Sequence, residues 1–401
     1  QAPDKKWFVM NTNPADKISG KSLWILYPTA LIPGMVLVLP GCVLSAVMDA
    51  FGLDKPRAGY MCSAYFAGLL IGMLALSDLV RKWGARKVLI ITSLGASIAL
   101  SGMSMASSYR LVLCLYVFMG LFLGVIITLP GVVISAVKGD ESGGPMNKVY
   151  AMFSLAVLAT PLAVGWLLKI GWPWWGPFFL PVGPAILVAF CAWRFGLPPM
   201  KTPAGLSLNA FKRLGIKRGL FIGCMVCVLL YVASETAVVF WAPRYISEKF
   251  PMQVDIARAS RLLTWFWAGM TFGRIVSAAI LKRIDQAIFL AVLAAGSALT
   301  TAIAPHLNSA ALMESAFLLT GVFYSGIYPT TMSYSGKLEP ELAPIAFSLM
   351  NAMGPIGAIF LTPLVGHAAI YIPFSWAMSF VALPLAAFAA LVAIFKIRKI
   401  L

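Results

Sequence analysis

Apolar runs of about 19 to 28 residues recur along the whole 401-residue chain, parted by short joints that hold Pro, Gly and most of the charge. A helix needs about 20 such residues to cross the ~30 Å hydrocarbon layer of a bilayer, whereas one buried in a soluble core manages with about half. Composition agrees: 60% of the residues are hydrophobic and 11% are charged, too little polar surface for a water-soluble domain of this length. Lipid is therefore part of the solvent, and the expected fold class is an all-α integral membrane protein.

The runs place six spans at about 23–49, 58–80, 88–106, 111–136, 149–170 and 177–196. Six more fall at about 219–246, 259–281, 287–305, 311–335, 344–368 and 373–396, after the basic, Pro-containing stretch GLPPMKTPAGLSLNAFKRLGIKR. The expected organisation is a tail over 1–22, a six-helix bundle over 23–196, a central loop over 197–218, a second six-helix bundle over 219–396 and a tail over 397–401. Twelve spans leave both termini on one side. Most of the 31 Lys and Arg lie on that side, in the tails and alternate joints, so the positive-inside rule makes it cytoplasmic. The first ~20 residues are polar, which leaves the first span to direct insertion. The expected location is a bacterial inner (plasma) membrane.

A net charge of +17 raises the question of nucleic acid, but the basic residues are spread through the joints and gather on no single face. That pattern suits anionic lipid headgroups, and nucleic acid is not an expected partner. The six cysteines all fall inside apolar runs, which argues against a disulfide framework. Cys224 and Cys227 spell CxxC, yet no second pair and no nearby His accompany them, so they read as small core residues and no metal site is expected.

An internal repeat is visible. AYFAGLLIGMLALSDLVRKWG in the second span aligns with WFWAGMTFGRIVSAAILKRID in the eighth, so that Gly68 and Gly72 match Gly269 and Gly273. FSLAVLATP in the fifth span matches FSLMNAMGP in the eleventh. Small residues four apart let helices approach closely in lipid. Their recurrence at one place in both bundles implies parallel halves related by an axis along the membrane normal, one of the known transporter plans.

The joint SDLVRKWGARKVL carries Gly84, Arg86, Lys87 and Leu89 in the spacing of G-x-L-x-D-R-x-G-R-R-x-x-L, and so resembles the loop motif of the major facilitator superfamily. The resemblance implies that family's fold, two six-helix halves, and a gating role at Asp78, Arg81 and Arg86. Here Arg81 stands where the family usually has Asp, and the acid comes three residues earlier at Asp78, one turn away and able to pair locally. The usual latch between helices is therefore altered. In the fourth span, Tyr116 replaces the Arg that proton-driven drug exporters usually carry, which counts against that group. The seventh span, YVASETAVVFWAPRY, resembles the sugar-type proton symporters related to fucose permease, as do FGRI and YSGIYPTTMS in the eighth and tenth.

Charge inside the spans is scarce. Glu235 and Arg274 each cost about 2.5–3.5 kcal/mol at mid-membrane, so each is expected to face a polar cavity or a partner. A carboxylate there can take and release a proton as water and solute come and go, which makes Glu235 the candidate for proton coupling and solute contact. Trp241 and Tyr245 share a face of the same helix at a moderate angle from Glu235, with rings able to stack on a sugar or a flat ligand. Tyr324 and Tyr328 follow one another by a turn beside Pro329, and Tyr27 sits in a Pro-rich first span; all are candidates to line the cavity. Arg274 completes the solute-binding set. His306 and His367 fall at span ends, where surface or packing roles are expected.

No P-loop, catalytic triad pattern or metal-ligand spacing appears, so neither ATP-driven transport nor a membrane enzyme is expected, and no cofactor. The function expected is secondary transport of a small polar organic solute, sugar-like or an organic anion, by alternating access in a monomer, with the proton as coupling ion. An exporter of amphipathic compounds or lipids is the second reading, and a transport-fold receptor that binds without moving solute the third.

Overall fold

The computed structural model describes residues 20–138, 143–198, 218–334 and 343–397, which are helical apart from short connections and contain no strand. After a helical entry over Gly20–Thr29, α1 spans Leu31–Phe51. It stops at Gly52, whose φ of 60° is the left-handed conformation that ends a helix at little cost when no side chain is present. The next helix, Lys55–Gly102, has 48 residues, about 72 Å and over twice the hydrocarbon layer. It breaks at one residue, Gly84, whose φ of 78° and ψ of 151° are not helical. Its arms, 55–83 and 85–102, are α2 and α3. Then come α4 (Tyr109–Lys138), α5 (Gly143–Lys169), α6 (Val182–Phe195), α7 (Arg218–Lys249), α8 (Ile256–Ile280) and α9 (Gln286–Ile303). The last are α10 (Ala310–Tyr324, continued by a short helix Ile327–Ser333), α11 (Ala343–Tyr371) and α12 (Ala382–Ile397, preceded by Phe374–Ser379).

Ten segments of the described residues are long and apolar enough to cross a membrane, the kinked Lys55–Met105 being one of them. Helix α8 is not among the ten, because Arg258, Arg261 and Arg274 lower its hydropathy. Large apolar side chains stand exposed along the helices, Ile98, Ile275 and Phe360 among them. Such faces are stable in lipid, where the helix satisfies its own backbone and the side chains meet acyl chains.

Within α1–α6 the main pairings are α1 with α5, the α2/α3 helix with α4, and the same helix with α6. Six helices on, they recur as α7 with α11, α8 with α10, and α9 with α12. The contacts are of one kind. A Cβ on Gly68 would strike the Val117 carbonyl and one on Gly120 the Tyr65 carbonyl, so α2 and α4 lock through reciprocal glycines. In α8 and α10 Gly269 meets Leu318 and Gly321 meets Phe266 in the same way. Even the caps repeat: Asp54 accepts from the Arg57 backbone N–H at 2.9 Å, and Asp255 from that of Arg258 at 2.8 Å.

The two groups of helices meet through α2 with α11, α5 with α8, and α1 with α7. They are drawn tightest at the end that carries Gly52. There Gly59 packs on Pro363 and Gly366 on the Lys55 backbone, with no room for a side chain. Tyr60 and His367 lie edge to face, with the hydroxyl 3.4 Å from Nε2. Ion pairs cross the same seam: Lys55–Glu248 at 3.0 Å, Lys169–Asp255 at 3.0 Å and Arg244–Asp49 at 3.8 Å, with Arg244 also on Glu248 at 2.8 Å.

The backbone N–H of Arg258, and then Lys169, hold the Asp255 carboxyl below its ordinary value of 3.8. A depressed carboxyl adds stability above that value and loses it as pH falls through its lower folded-state pKa. Both partners are half exposed, so the pair is worth less than about 1 kcal/mol. Acidification below about pH 4 should therefore break the Lys169–Asp255 pair without unfolding the chain. Crosslinking yield between Cys residues placed at Lys169 and Asp255 would not report this, since the charges are gone. Fluorescence of a label at the exposed Met252 should change between pH 5 and pH 3, and Asp255→Asn should abolish that change.

Candidate solute site

Glu235 lies midway along α7, in a helix whose neighbours are apolar, and its carboxylate accepts a hydrogen bond from the Tyr231 hydroxyl one turn earlier at 2.9 Å. It lines a cavity of about 20 Å3, room for one water molecule, where the two groups of helices face each other. Leu37 and Pro40 of α1 and Cys62, Tyr65 and Phe66 of α2 form one wall. Glu235, Thr236, Val239 and Phe240 of α7 and Trp267 of α8 form the other. Glu235 is the sole carboxylate of that lining. The walls are held by cross-seam hydrogen bonds, Ser63 Oγ to the Ile359 carbonyl at 2.6 Å and Thr264 Oγ1 to the Leu158 carbonyl at 3.3 Å. The Trp267 indole N–H is buried with no partner among the described residues, and its ring lies edge-on to Phe153 of α5.

Toward the Gly84 end a second layer follows. The ring of Tyr231 is 5.7 Å from that of Tyr324 and 6.1 Å from that of Tyr328. Tyr328 donates to Asn351 Oδ1 at 2.6 Å, and the Tyr324 hydroxyl pairs with Thr301 at 3.2 Å. Arg274 shares a face of α8 with Trp267 and Met270, spaced by seven and four residues. Its one hydrogen bond among the described residues goes to Met270 Sδ at 3.3 Å, and it forms no ion pair there.

The structure thus brings Glu235, Tyr324, Tyr328 and Arg274 toward one region and places the other candidates elsewhere. Trp241 is fully buried against α11, donating from Nε1 to the Thr362 carbonyl at 2.9 Å and lying edge-on to Phe374. Tyr245 packs on Phe374 and donates to the Pro305 carbonyl. Both hold the Gly52 end together. Tyr27 is at the other mouth, with Lys148 Nζ 5.4 Å from its ring centre. Tyr231, Tyr65, Phe66, Phe240 and Trp267 were not singled out from sequence. Tyr231 alone had a signal, its position one turn before a membrane-embedded acid.

Asp78 pairs with Arg81 at 2.6 Å on an exposed turn, as their spacing allows. Arg86 reaches α6, donating from Nε to the Ala192 carbonyl at 3.1 Å and from its second nitrogen to that of Trp193. These are the last carbonyls of α6, where a cation is favoured. Among the described residues, the contacts of all three thus lie inside α1–α6. Arg86→Ala should lower stability by about 1–2 kcal/mol, read as an earlier thermal transition in detergent, and Arg86→Lys should recover part of it.

The chain belongs to the Major Facilitator Superfamily, whose model matches residues 26–338. A TsgA homolog of Buchnera aphidicola subsp. Schizaphis graminum is 23% identical over 359 residues, 88% of this chain and 90% of that protein. Among solved structures, a D-xylose–proton symporter superposes with a TM-score of 0.75 at 13% identity, covering 93% of this chain and 96% of its own. The Escherichia coli fucose:proton symporter does so with a TM-score of 0.64 at 18% identity, covering 93% and 98%. The chain is similar to these in fold.

Proposed function

We propose that the protein is a secondary active transporter of twelve spans in two six-helix halves, 23–196 and 219–396, with tails over 1–22 and 397–401 and a central loop over 197–218. It moves a small polar organic solute by alternating access and couples that movement to protons through Glu235. The observation that carries the reading is the single carboxylate lining the cavity where α1 and α2 face α7 and α8. Splitting the long helix at Gly84 and counting α8 turns ten crossing segments into twelve. The recurring pairings, glycine locks and caps support a repeat with one axis along the bundle. Solved relatives of this fold include symporters of D-xylose and fucose with protons.

In this reading both termini are cytoplasmic in a bacterial inner membrane, the protein works as a monomer among lipids, and the Gly52 end is the outer face. The chain is then closed to the outside. A one-water cavity holds no solute, so binding requires the halves to part. The aromatic walls also fit an exporter of amphipathic compounds, the second reading. Purified protein in proteoliposomes should accumulate one member of a labelled panel of hexoses, hexuronates, nucleosides and lysolipids when a pH step is imposed. Binding without accumulation would leave a receptor, and accumulation of lysolipids alone would favour the exporter.

A further inference from the structure

At the Gly52 end the seam between α5 and α8 runs into an open pocket of about 410 Å3. Lys169 of α5 lines it from one group of helices, and Gln253, Asp255, Arg258 and Arg261 line it from the other. Three cations therefore surround one carboxylate. Arg258 is committed to Glu314, at 2.7 Å, whereas Lys169 shares a half-exposed pair with Asp255 at 3.0 Å, which is weak in water. Arg261 is exposed and has neither a hydrogen bond nor an ion pair among the described residues. Two apolar stripes lead from this pocket into the membrane. On α5 the exposed Leu162 and Trp166 run up to Lys169 by four and three residues, one face of a helix. On α8 the exposed Phe272 and Trp265 run up to Arg261 by seven and four. The two helices touch along the seam: a Cβ on Gly165 would strike the Ala257 backbone, and Thr264 donates to the Leu158 carbonyl at 3.3 Å.

We infer that this pocket binds the phosphate of an anionic phospholipid, whose acyl chains lie along the two stripes and which thereby ties α5 to α8. Charge complementarity fixes the head. Arg261 offers an unpaired planar fork and Lys169 an ammonium on a flexible stem, from opposite sides of the seam, and a phosphate can accept from both. The indole rings fix the rest: Trp166 and Trp265 each stand one turn inward of their cation, at the depth where a lipid passes from headgroup to chain. A soluble phosphate would engage the cations and leave both rings uncovered. A zwitterionic lipid would cover the rings but bring no net negative charge to a pocket with an excess of two positive ones. Seated there, the lipid adds a link at the end where the two groups of helices are drawn tightest. The inference concerns the membrane around the protein and goes beyond the reading of Glu235 and its solute.

The test is native mass spectrometry of the full-length protein in detergent, titrated with phosphatidylglycerol, with phosphatidylcholine of the same chains and with glycerol 3-phosphate. Phosphatidylglycerol should bind about 10-fold or more tightly than phosphatidylcholine. Arg261→Gln and Lys169→Gln should each weaken phosphatidylglycerol roughly 10-fold and leave phosphatidylcholine unchanged. Trp265→Ser should weaken phosphatidylglycerol as well, because the chains lose their wall. Asp255→Asn removes the one carboxylate of the lining while Asn still caps α8, and should tighten binding. Lys282→Gln, at an exposed cation of the Gly84 end, is the control and should change nothing. Equal binding of the two lipids would overturn the proposal, as would a preference for phosphatidylglycerol that survives both Arg261→Gln and Lys169→Gln. Binding of glycerol 3-phosphate that Arg261→Gln abolishes would assign the pocket to a soluble phosphate and overturn the lipid.

Discussion

Glu235→Gln should abolish solute accumulation driven by a pH step, a loss on the order of 100-fold or more in net uptake, while counterflow exchange of the same solute continues. Gln has the shape of the protonated acid and can still accept the bond that Tyr231 donates, but it cannot release a proton. A carrier locked in that form can still turn over loaded, and so exchange, without coupling to the gradient. Glu235→Asp, with one methylene fewer, should keep some coupling if the carboxylate alone matters. Unchanged pH-driven uptake in Glu235→Gln would assign the side chain to tying α7 to its neighbours. Loss of both uptake and exchange, in protein that remains folded, would place Glu235 in solute binding alone.

The second large effect concerns folding. Gly120→Leu should destabilise the protein by about 3 kcal/mol or more, at or beyond the upper end of ordinary overpacking. Its Cβ would fall on the Tyr65 carbonyl, a backbone atom that no rotamer change can move aside. The flanking locks at Gly68, Gly72 and Gly124 prevent α4 from sliding to another register. Gly321→Leu, which meets the Phe266 carbonyl between α8 and α10, should cost a similar amount. Gly183→Leu is the control, since nothing lies within 4 Å of its missing side chain. The readout is the thermal transition and the monodisperse fraction in detergent. Wild-type behaviour of Gly120→Leu would mean that α2 and α4 do not approach as closely as described.

Most of the helices were legible in the sequence because each is one apolar run, and run length answers to the thickness of the membrane. The close contacts were legible as spacing: Gly68 with Gly72 and Gly269 with Gly273 mark two crossings, though only the structure names Gly120 and Gly321 as their partners. Glu235 stood out by scarcity, since an unpaired acid in lipid needs a reason. Trp241 and Tyr245 show where that logic ends. Spacing fixes the face of α7 on which they lie but not which neighbour covers it, and here Phe374 and the Thr362 and Pro305 carbonyls do. The aromatic lining was hidden for the same reason: Tyr65, Phe66, Phe240 and Trp267 resemble any other membrane aromatics until four helices bring them together. The break at Gly84 lies in a stretch without Pro, so that a nearly continuous helix of 48 residues was read as two spans with a loop between them.

The central claim is that the halves rock about the Glu235 cavity, opening one end as the other closes. Distances between spin labels test it most directly, with one pair at Ile170 and Met252 on the Gly52 end and another at Lys82 and Lys282 on the Gly84 end. Both pairs are exposed and join the two groups of helices. Across a pH series, and on introducing Glu235→Gln, the account predicts two populations for each pair, with the long distance at one end accompanying the short distance at the other. A single unchanging distance for both pairs, or lengthening of both together, would contradict it.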